Sequence, residues 1–228
     1  MAVSVLLAVS RAVLFDLDGT LTDPKPGITA CIRHALAGLG RTPPPAEELL
    51  WCIGPSLFRS FATLLDTDDP ALVDRAVALY RERFGVVGLY ENAVYPGVPD
   101  AVAAVRAAGY ATYVATSKPH VYATRIVAHF GLAPLFDRVY GSELDGTRID
   151  KAELIAYALA AERLDPARVV MIGDREHDAL GARHCGVRAI GAGYGYGSEA
   201  ELRASGVAAI AGSPAEIPAL VATLMPVS

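Results

Sequence analysis

Two carboxylates two residues apart, Asp16 and Asp18, are the first feature of this 228-residue chain that could do chemistry. They follow the apolar run Ala12-Val13-Leu14-Phe15 and lead into Gly19-Thr20. An apolar run of this length bounded by Gly reads as a buried strand. Period-two alternation sends both side chains to the same side of the chain, where they can share one substrate or metal. Gly19 lets the backbone turn sharply and approach a ligand closely. Taken alone, the stretch reads equally well as an acidic loop capping the next helix.

Three further sites follow apolar runs or open helices. Thr116-Ser117-Lys118-Pro119 comes after Ala111–Ala115. A hydroxyl and free N–H groups at a helix start suit a phosphate, though they also make an ordinary helix cap. Asp150 with Glu153 resembles a capping box, which puts Lys151 in a first helical turn, where its charge opposes the helix dipole. The chain holds only three lysines, Lys25, Lys118 and Lys151. A compact ammonium at that place suits point-charge contact with a phosphoryl oxygen. In Gly173-Asp174-Arg175-Glu176-His177-Asp178, the spacing predicts Asp174 and Asp178 stacked on one face of a helix start. Like charges there cost a few tenths of a kcal/mol unless a cation lies between them. Magnesium, which takes oxygen ligands and needs one or two carboxylates plus a substrate phosphate, fits that pair. The five histidines (His34, His120, His129, His177 and His184) show no zinc-ligand spacing, and His177 reads as a solvated neighbour.

The elements that must position these groups fall into two kinds. From 23 to 95 the pattern is helical, with no convincing strand. Ile28, Ile32, Ala35, Leu36 and Leu39 recur at helical spacing up to Gly40, and Pro43-Pro44-Pro45 reads as a linker. Leu57, Phe58, Phe61, Leu64 and Leu65 make a second stripe, and Asp69-Pro70 opens a third over Leu72, Ala76, Leu79 and Tyr80. After Tyr95-Pro96-Gly97, helices and short strands alternate, with strands expected at 111–115, 138–140, 168–172, 187–191 and 207–210. That alternation implies an α/β fold: a Rossmann-like parallel sheet with helices on both faces. All four sites would then share the rim at the carboxyl ends of the strands. Gly191–Gly197 reads as a backbone turn near that rim, without the Gly-Lys-Ser/Thr of a nucleotide-cradling loop.

Composition sets outer limits. Hydrophobic residues make up 53% of the chain and charged residues 20%, enough for a packed core. A formal net charge of -5 with no basic run argues against a nucleic-acid polymer as partner. Cys31, Cys52 and Cys185 have no CxxC spacing and read as thiols of a reducing cytosol. Met1–Val9 is apolar but lacks the basic start of a secretory signal, and no run suits a membrane span. A cytoplasmic protein, monomer or homodimer, is expected.

The order Asp-x-Asp-Gly-Thr, a Thr at the next strand end, an isolated Lys and Gly-Asp-x-x-x-Asp resembles the haloacid dehalogenase-like hydrolase superfamily, whose members are mostly phosphatases. The resemblance spans nearly the whole chain. The helical insertion after the first motif resembles the small all-α cap of the subgroup containing phosphoglycolate phosphatases. This implies a catalytic core at 1–22 and 96–228 and a cap at 23–95. Asp18–Lys25, Ile53–Leu57, Leu89–Asn92 and Gly173–Asp178 with Ala182 resemble the bacterial 5′-nucleotidase-like branch. Lys151 is followed by Ala152-Glu153, whereas many phosphoglycolate phosphatases have Lys-Pro-x-Pro there.

By position, the resemblance makes Asp16 the nucleophile that forms an aspartyl-phosphate, and Asp18 the acid and base. Magnesium would sit on the Asp16 carboxylate, the Asp18 carbonyl and Asp174, with Asp178 orienting a bound water. Gly19, Thr116, Ser117 and Lys151 would hold the phosphoryl group of a small phosphorylated metabolite. Cap residues Pro55, Ser56 and Arg59, with Lys25 near the mouth, are candidates for reading the leaving group. Phe58, Phe61 and Trp51 are candidates for an apolar wall against a nucleoside. A haloacid dehalogenase needs neither Asp18 nor a metal pair, and a phosphonate hydrolase needs a cap lysine better placed than Lys25. A sugar-phosphate mutase keeps every core residue and stays the enzyme alternative. A non-enzymatic binding protein would be expected to lose Asp16 or Asp18.

Overall fold

The computed structural model describes residues 11–226, so the reading of Met1–Val9 lies outside the described residues. Six strands form one parallel sheet. They are β1 (Ala12–Phe15), β4 (Ala111–Pro119), β5 (Arg138–Ser142), β6 (Val169–Gly173), β7 (Arg188–Ala192) and β8 (Ala209–Ala211). Their order is β5-β4-β1-β6-β7-β8, so the first strand lies inside the sheet between two strands from later in the chain. Phe15 pairs with Val114 on one side and Ile172 on the other. This brings the ends of three strands distant in sequence to one point on the rim.

Side-chain alternation divides the core into two layers. Val13, Phe15, Val114, Val170, Ile172 and Ile190 face one way. They pack with α4 (Val98–Ala107), α5 (His120–His129) and α9 (Ile217–Leu224) through residues such as Val102, Ile126 and Val221. Ala12, Leu14, Tyr113, Ala115, Val169, Met171 and Ala189 face the other way. They meet α6 (Lys151–Glu162) and α7 (Glu176–His184) through Leu154, Ile155, Ala158, Ala179 and Ala182. The short α8 (Glu199–Ala204) follows β7. The sheet with helices on both faces is the architecture that the helix–strand alternation implies.

The segment between β1 and α4 contains α1 (Lys25–Gly38), α2 (Leu57–Leu65) and α3 (Pro70–Phe84). Asp69 caps α3, accepting from the Ala71 N–H at 3.0 Å, with Pro70 at the first helical position. Phe61, Tyr80 and Phe84 form a run of ring contacts linking α2 to α3. The segment was expected to be without strands. Instead β2 (Thr22–Asp23) and β3 (Ala93–Val94) pair antiparallel at its base, and Ala46–Cys52 winds into a 3-10 helix after the prolines. Two-residue strands carry no readable period, so the pattern could not show them. β4 also runs four residues past the expected strand, and its register against β5 shifts between Thr116 and Pro119. No helix among the described residues is long and apolar enough to cross a membrane.

Candidate active site

Asp16 is the first residue past β1, and its N–H donates to the Ile172 carbonyl at 2.8 Å, fixing it beside β6. Lys151 reaches it from α6. Asp150 caps that helix by accepting from the N–H groups of Ala152 at 2.8 Å and Glu153 at 3.1 Å. The Lys151 ammonium lies 2.8 Å from Asp16 Oδ1, 2.7 Å from Asp178 Oδ1 and 3.1 Å from the Ala115 carbonyl. Burial would by itself lower the pKa of this ammonium, but the carboxylates of Asp16 and Asp178 outweigh it and raise the value.

Asp174 and Asp178 do not stack on one helical face as their spacing predicts. Asp178 Oδ2 accepts from the Arg175 N–H at 3.2 Å and caps the start of α7, so the helix begins at Glu176 and leaves Asp174 in the turn before it. The two carboxylates meet all the same. Ligand atoms of Asp16, Asp174 and Asp178 lie within 4.8 Å of one another, and all three residues are buried. Gly19 has a φ of +82°, and a Cβ there would come within 2.1 Å of Asp174 Oδ2. The glycine-rich turn after β7 also serves this carboxylate, its Tyr196 N–H donating to Asp174 Oδ2 at 2.8 Å. The Tyr196 hydroxyl donates to Asp23 in β2, and the Tyr194 hydroxyl donates to the Thr20 carbonyl at 2.9 Å.

Burial, then the neighbouring carboxylates of Asp178 and Asp16, push Asp174 well above the usual carboxylate range. Asp178 is also raised, by burial, against the opposing pull of Lys151. Asp174 Oδ1 is buried with no hydrogen-bond partner. Three buried carboxylates facing one ammonium leave negative charge uncompensated. An oxygen-only donor set with an orphaned atom fits a hard divalent cation.

Asp18 is not part of this triad. Its Oδ2 lies 2.7 Å from the ammonium of Lys118, and its Oδ1 is buried without a partner. Burial raises its pKa, with Lys118 opposing the rise. The Lys118 ammonium also sits 4.4 Å from the centre of the Phe84 ring on α3. Lysine scarcity, the signal that marked Lys151, marks Lys118 equally, although the sequence reading gave it no role. Arg175 had no such signal. Its guanidinium joins Glu201 at 2.8 Å to the Ile53 carbonyl at 2.6 Å, tying the turn after β6 to the loop before α2.

Asp16, Asp18, Asp178, Thr116, Ser117, Lys118 and Lys151 line the floor of a cavity that is partly open to solvent. Thr116 is buried, and its Oγ1 accepts from the Lys118 N–H at 3.3 Å. Pro55, Ser56, Phe58, Tyr80, Arg81, Phe84 and Tyr122 form walls and roof, and His177 also contributes. Of the residues expected to read the leaving group, Ser56 and Pro55 are therefore at the cavity. Arg59 is exposed and lines not this cavity but an adjoining, more open cleft that shares Ser56, Ser117, Lys151 and His177 with it. Lys25 lines neither, because its ammonium pairs with Glu47 at 2.8 Å. Phe58 faces the cavity, but Phe61 is packed in the helical core and Trp51 is exposed.

A family model described as haloacid dehalogenase-like hydrolase matches residues 10–186. A 5′-nucleotidase of Pseudomonas aeruginosa is 52% identical over 192 residues, which is 84% of this chain and 86% of that protein. The tyrosine-protein kinase PtkA of Mycobacterium tuberculosis is 37% identical over 82% of this chain and 63% of its own length. A phosphoglycolate phosphatase of Caulobacter vibrioides is 34% identical over 82% of this chain and 81% of its own. The solved structure of a predicted phosphatase from Clostridium acetobutylicum matches with a TM-score of 0.90 at 36% identity, covering 95% of this chain and all of that one.

Proposed function

The chain belongs to the haloacid dehalogenase-like hydrolase family and is one of its phosphatases; from that premise we propose that it hydrolyses small phosphomonoesters through an aspartyl-phosphate on Asp16, with nucleoside 5′-monophosphates as the preferred class. One observation carries the mechanism. Two carboxylates two residues apart, Asp16 buried and Asp18 mostly so, are held by two different lysines, Asp16 by Lys151 and Asp18 by Lys118. Burial keeps Asp18 protonated to higher pH than an ordinary carboxylate, as a group that donates to a leaving alkoxide requires. Asp16 attacks phosphorus and the ester oxygen leaves with the proton from Asp18. Asp18 then takes a proton from the water that attacks the aspartyl-phosphate, releasing phosphate and restoring both groups.

Asp16, Asp174 and Asp178 would hold a magnesium ion with the Asp18 carbonyl, and the ion supplies positive charge against the repulsion between carboxylate and phosphate. Thr116, Ser117 and Lys151 hold the phosphoryl oxygens at the floor, and residues 23–95 act as a cap that screens them from water.

The nucleotide preference rests on three supports. The relative named 5′-nucleotidase is more alike than the one named phosphoglycolate phosphatase, at 52% against 34% identity. The cavity is walled by the aromatic rings of Phe58, Tyr80, Phe84 and Tyr122, which suits a leaving group with a flat apolar face. Lys25, one of the two cations expected to read a glycolate carboxylate, lies outside the cavity and is paired with Glu47. The test is phosphate release from a panel of phosphomonoesters with magnesium, for the wild type and Asp16→Asn. Rapid nucleotide turnover that is lost in the variant is expected. Turnover retained by Asp16→Asn sinks the nucleophile. A preference for phosphoglycolate of about tenfold or more, some 1.4 kcal/mol, sinks the substrate ordering. Transfer of the phosphoryl group to a second organic acceptor without phosphate release would mark a mutase or kinase.

A further inference from the structure

Arg81 faces this cavity from α3. Each of the other lysines and arginines lining it among the described residues has a carboxylate partner: Lys118 has Asp18, Lys151 has Asp16 and Asp178, and Arg175 has Glu201. Arg81 has none. Its guanidinium carbon lies over the Phe58 ring, 5.8 Å from the ring centre, and its Nε is buried with no hydrogen-bond partner. A buried donor left unmatched is costly, and it persists where a ligand supplies the missing acceptor. The guanidinium is planar and offers its donors in a fixed fork. Beside it stands an aromatic ring, Phe58, with Tyr80 nearby on the same helix as Arg81. A planar fork next to an aromatic face matches a flat heterocycle that stacks and presents two acceptors at one edge.

We propose that Arg81 is the specificity-determining residue of the site, reading the acceptor edge of a nucleobase while Phe58 bears on its face. The inference rests on the phosphomonoesterase reading and deepens it, because it names the part of the leaving group that the cap recognises. The phosphoryl group is held at the floor by Thr116, Ser117 and Lys151, so the base lies at the opposite end of the same molecule. Arg81 takes no part in bond making.

The experiment compares kcat/KM of wild type, Arg81→Met and Arg81→Lys on four substrates: guanosine 5′-monophosphate, ribose 5-phosphate, phosphoglycolate and an aryl phosphate. Methionine keeps an unbranched stem against Phe58 and removes the donors. Arg81→Met should lose about 10- to 100-fold on the nucleotide, the range for one charged hydrogen-bonding group, and stay within about threefold on the three substrates without a base. Arg81→Lys should recover little of the loss, because a point charge lacks the fork. An equal loss on all four substrates would make Arg81 structural, and no loss on any would make it a bystander. Either result overturns the inference and leaves phosphatase activity and nucleotide preference standing. A loss confined to phosphoglycolate would make Arg81 a carboxylate reader and also overturn it. If wild type itself shows no preference for the nucleotide over ribose 5-phosphate, the substrate reading fails, and the base-reading role fails with it.

Discussion

Replacing Lys151 with Met removes the positive charge between Asp16 and Asp178 while keeping much of the buried stem. The ammonium lies 2.8 Å from one carboxylate and 2.7 Å from the other. At an effective dielectric constant of about 20, each such contact is worth about 6 kcal/mol of gross attraction. The net cost of losing it is smaller, because the freed carboxylates take up protons instead of staying charged. Breaking a buried pair from one side costs about 3–5 kcal/mol in practice. A chain of this size loses about 2–4 °C of Tm for each kcal/mol, so the metal-free variant should melt about 6–20 °C lower at pH 7. The pH dependence has a definite sign. The folded-state pKa of Lys151 is raised, so its stabilisation is complete below the unfolded value near 10.4 and is lost only as pH rises through the folded value. At pH 7 the full difference is therefore visible. It should narrow toward acid as the orphaned carboxylates protonate. On the proposed role of Lys151 as a donor to the phosphoryl oxygens, its loss should cost about 10²–10³ in kcat. The assay is calorimetric melting with chelator from pH 5 to 9, beside phosphate release with magnesium. A Tm within about 2 °C of wild type, with kcat within about threefold, would refute the account of this buried charge cluster.

Chelator should abolish turnover and magnesium restore it, with Asp174→Asn binding the ion most weakly among single changes that keep the fold. Because burial and neighbouring carboxylates raise Asp174, the metal-free protein should gain stability as pH falls through that raised value, and ion binding should release protons and tighten as pH rises. Isothermal titration in buffers of different ionisation enthalpy reads this, and a pH-independent affinity with no proton release would contradict it. Gly195→Ala places a methyl 2.3 Å from the Gly19 carbonyl oxygen and 2.4 Å from Asp174 Cβ. Neither can yield freely, so a loss of about 1–3 kcal/mol with weaker ion binding is expected, and an unchanged melt and affinity would show that the turn gives way. Cys31 and Cys52 are buried, and burial pushes the Cys52 thiol up to about 11. Both should resist a thiol reagent at pH 8 in native protein and react after denaturation, whereas fast native labelling of either would contradict their burial.

The sequence by itself determined the kind of fold and pointed to the groups that the structure gathers at one place. Asp16, Asp18, Thr116, Lys151 and Asp174 each sit within a few residues of an apolar run or a helix start. The pattern is local because a parallel sheet exposes its strand ends by construction. The helix–strand alternation after Tyr95 was legible for the same reason, since burial on both sheet faces leaves continuous apolar runs. Other features follow from contacts between residues far apart in the chain, and no local period encodes those. The order β4-β1-β6 puts Lys151 on Asp16 across 135 positions. The capping demand of α7 moved Asp174 off the helix that its spacing to Asp178 suggests. Lys25 was lost to Glu47, a choice set by how the chain winds after the prolines. Lys118 between Asp18 and Phe84, the Tyr196 N–H on Asp174, and Arg81 above the cavity floor all join separate elements. Reactive groups are chosen by residue type, which the sequence states outright. Their partners, and the part of a substrate they can reach, are set by packing, which exists only once the chain has closed on itself.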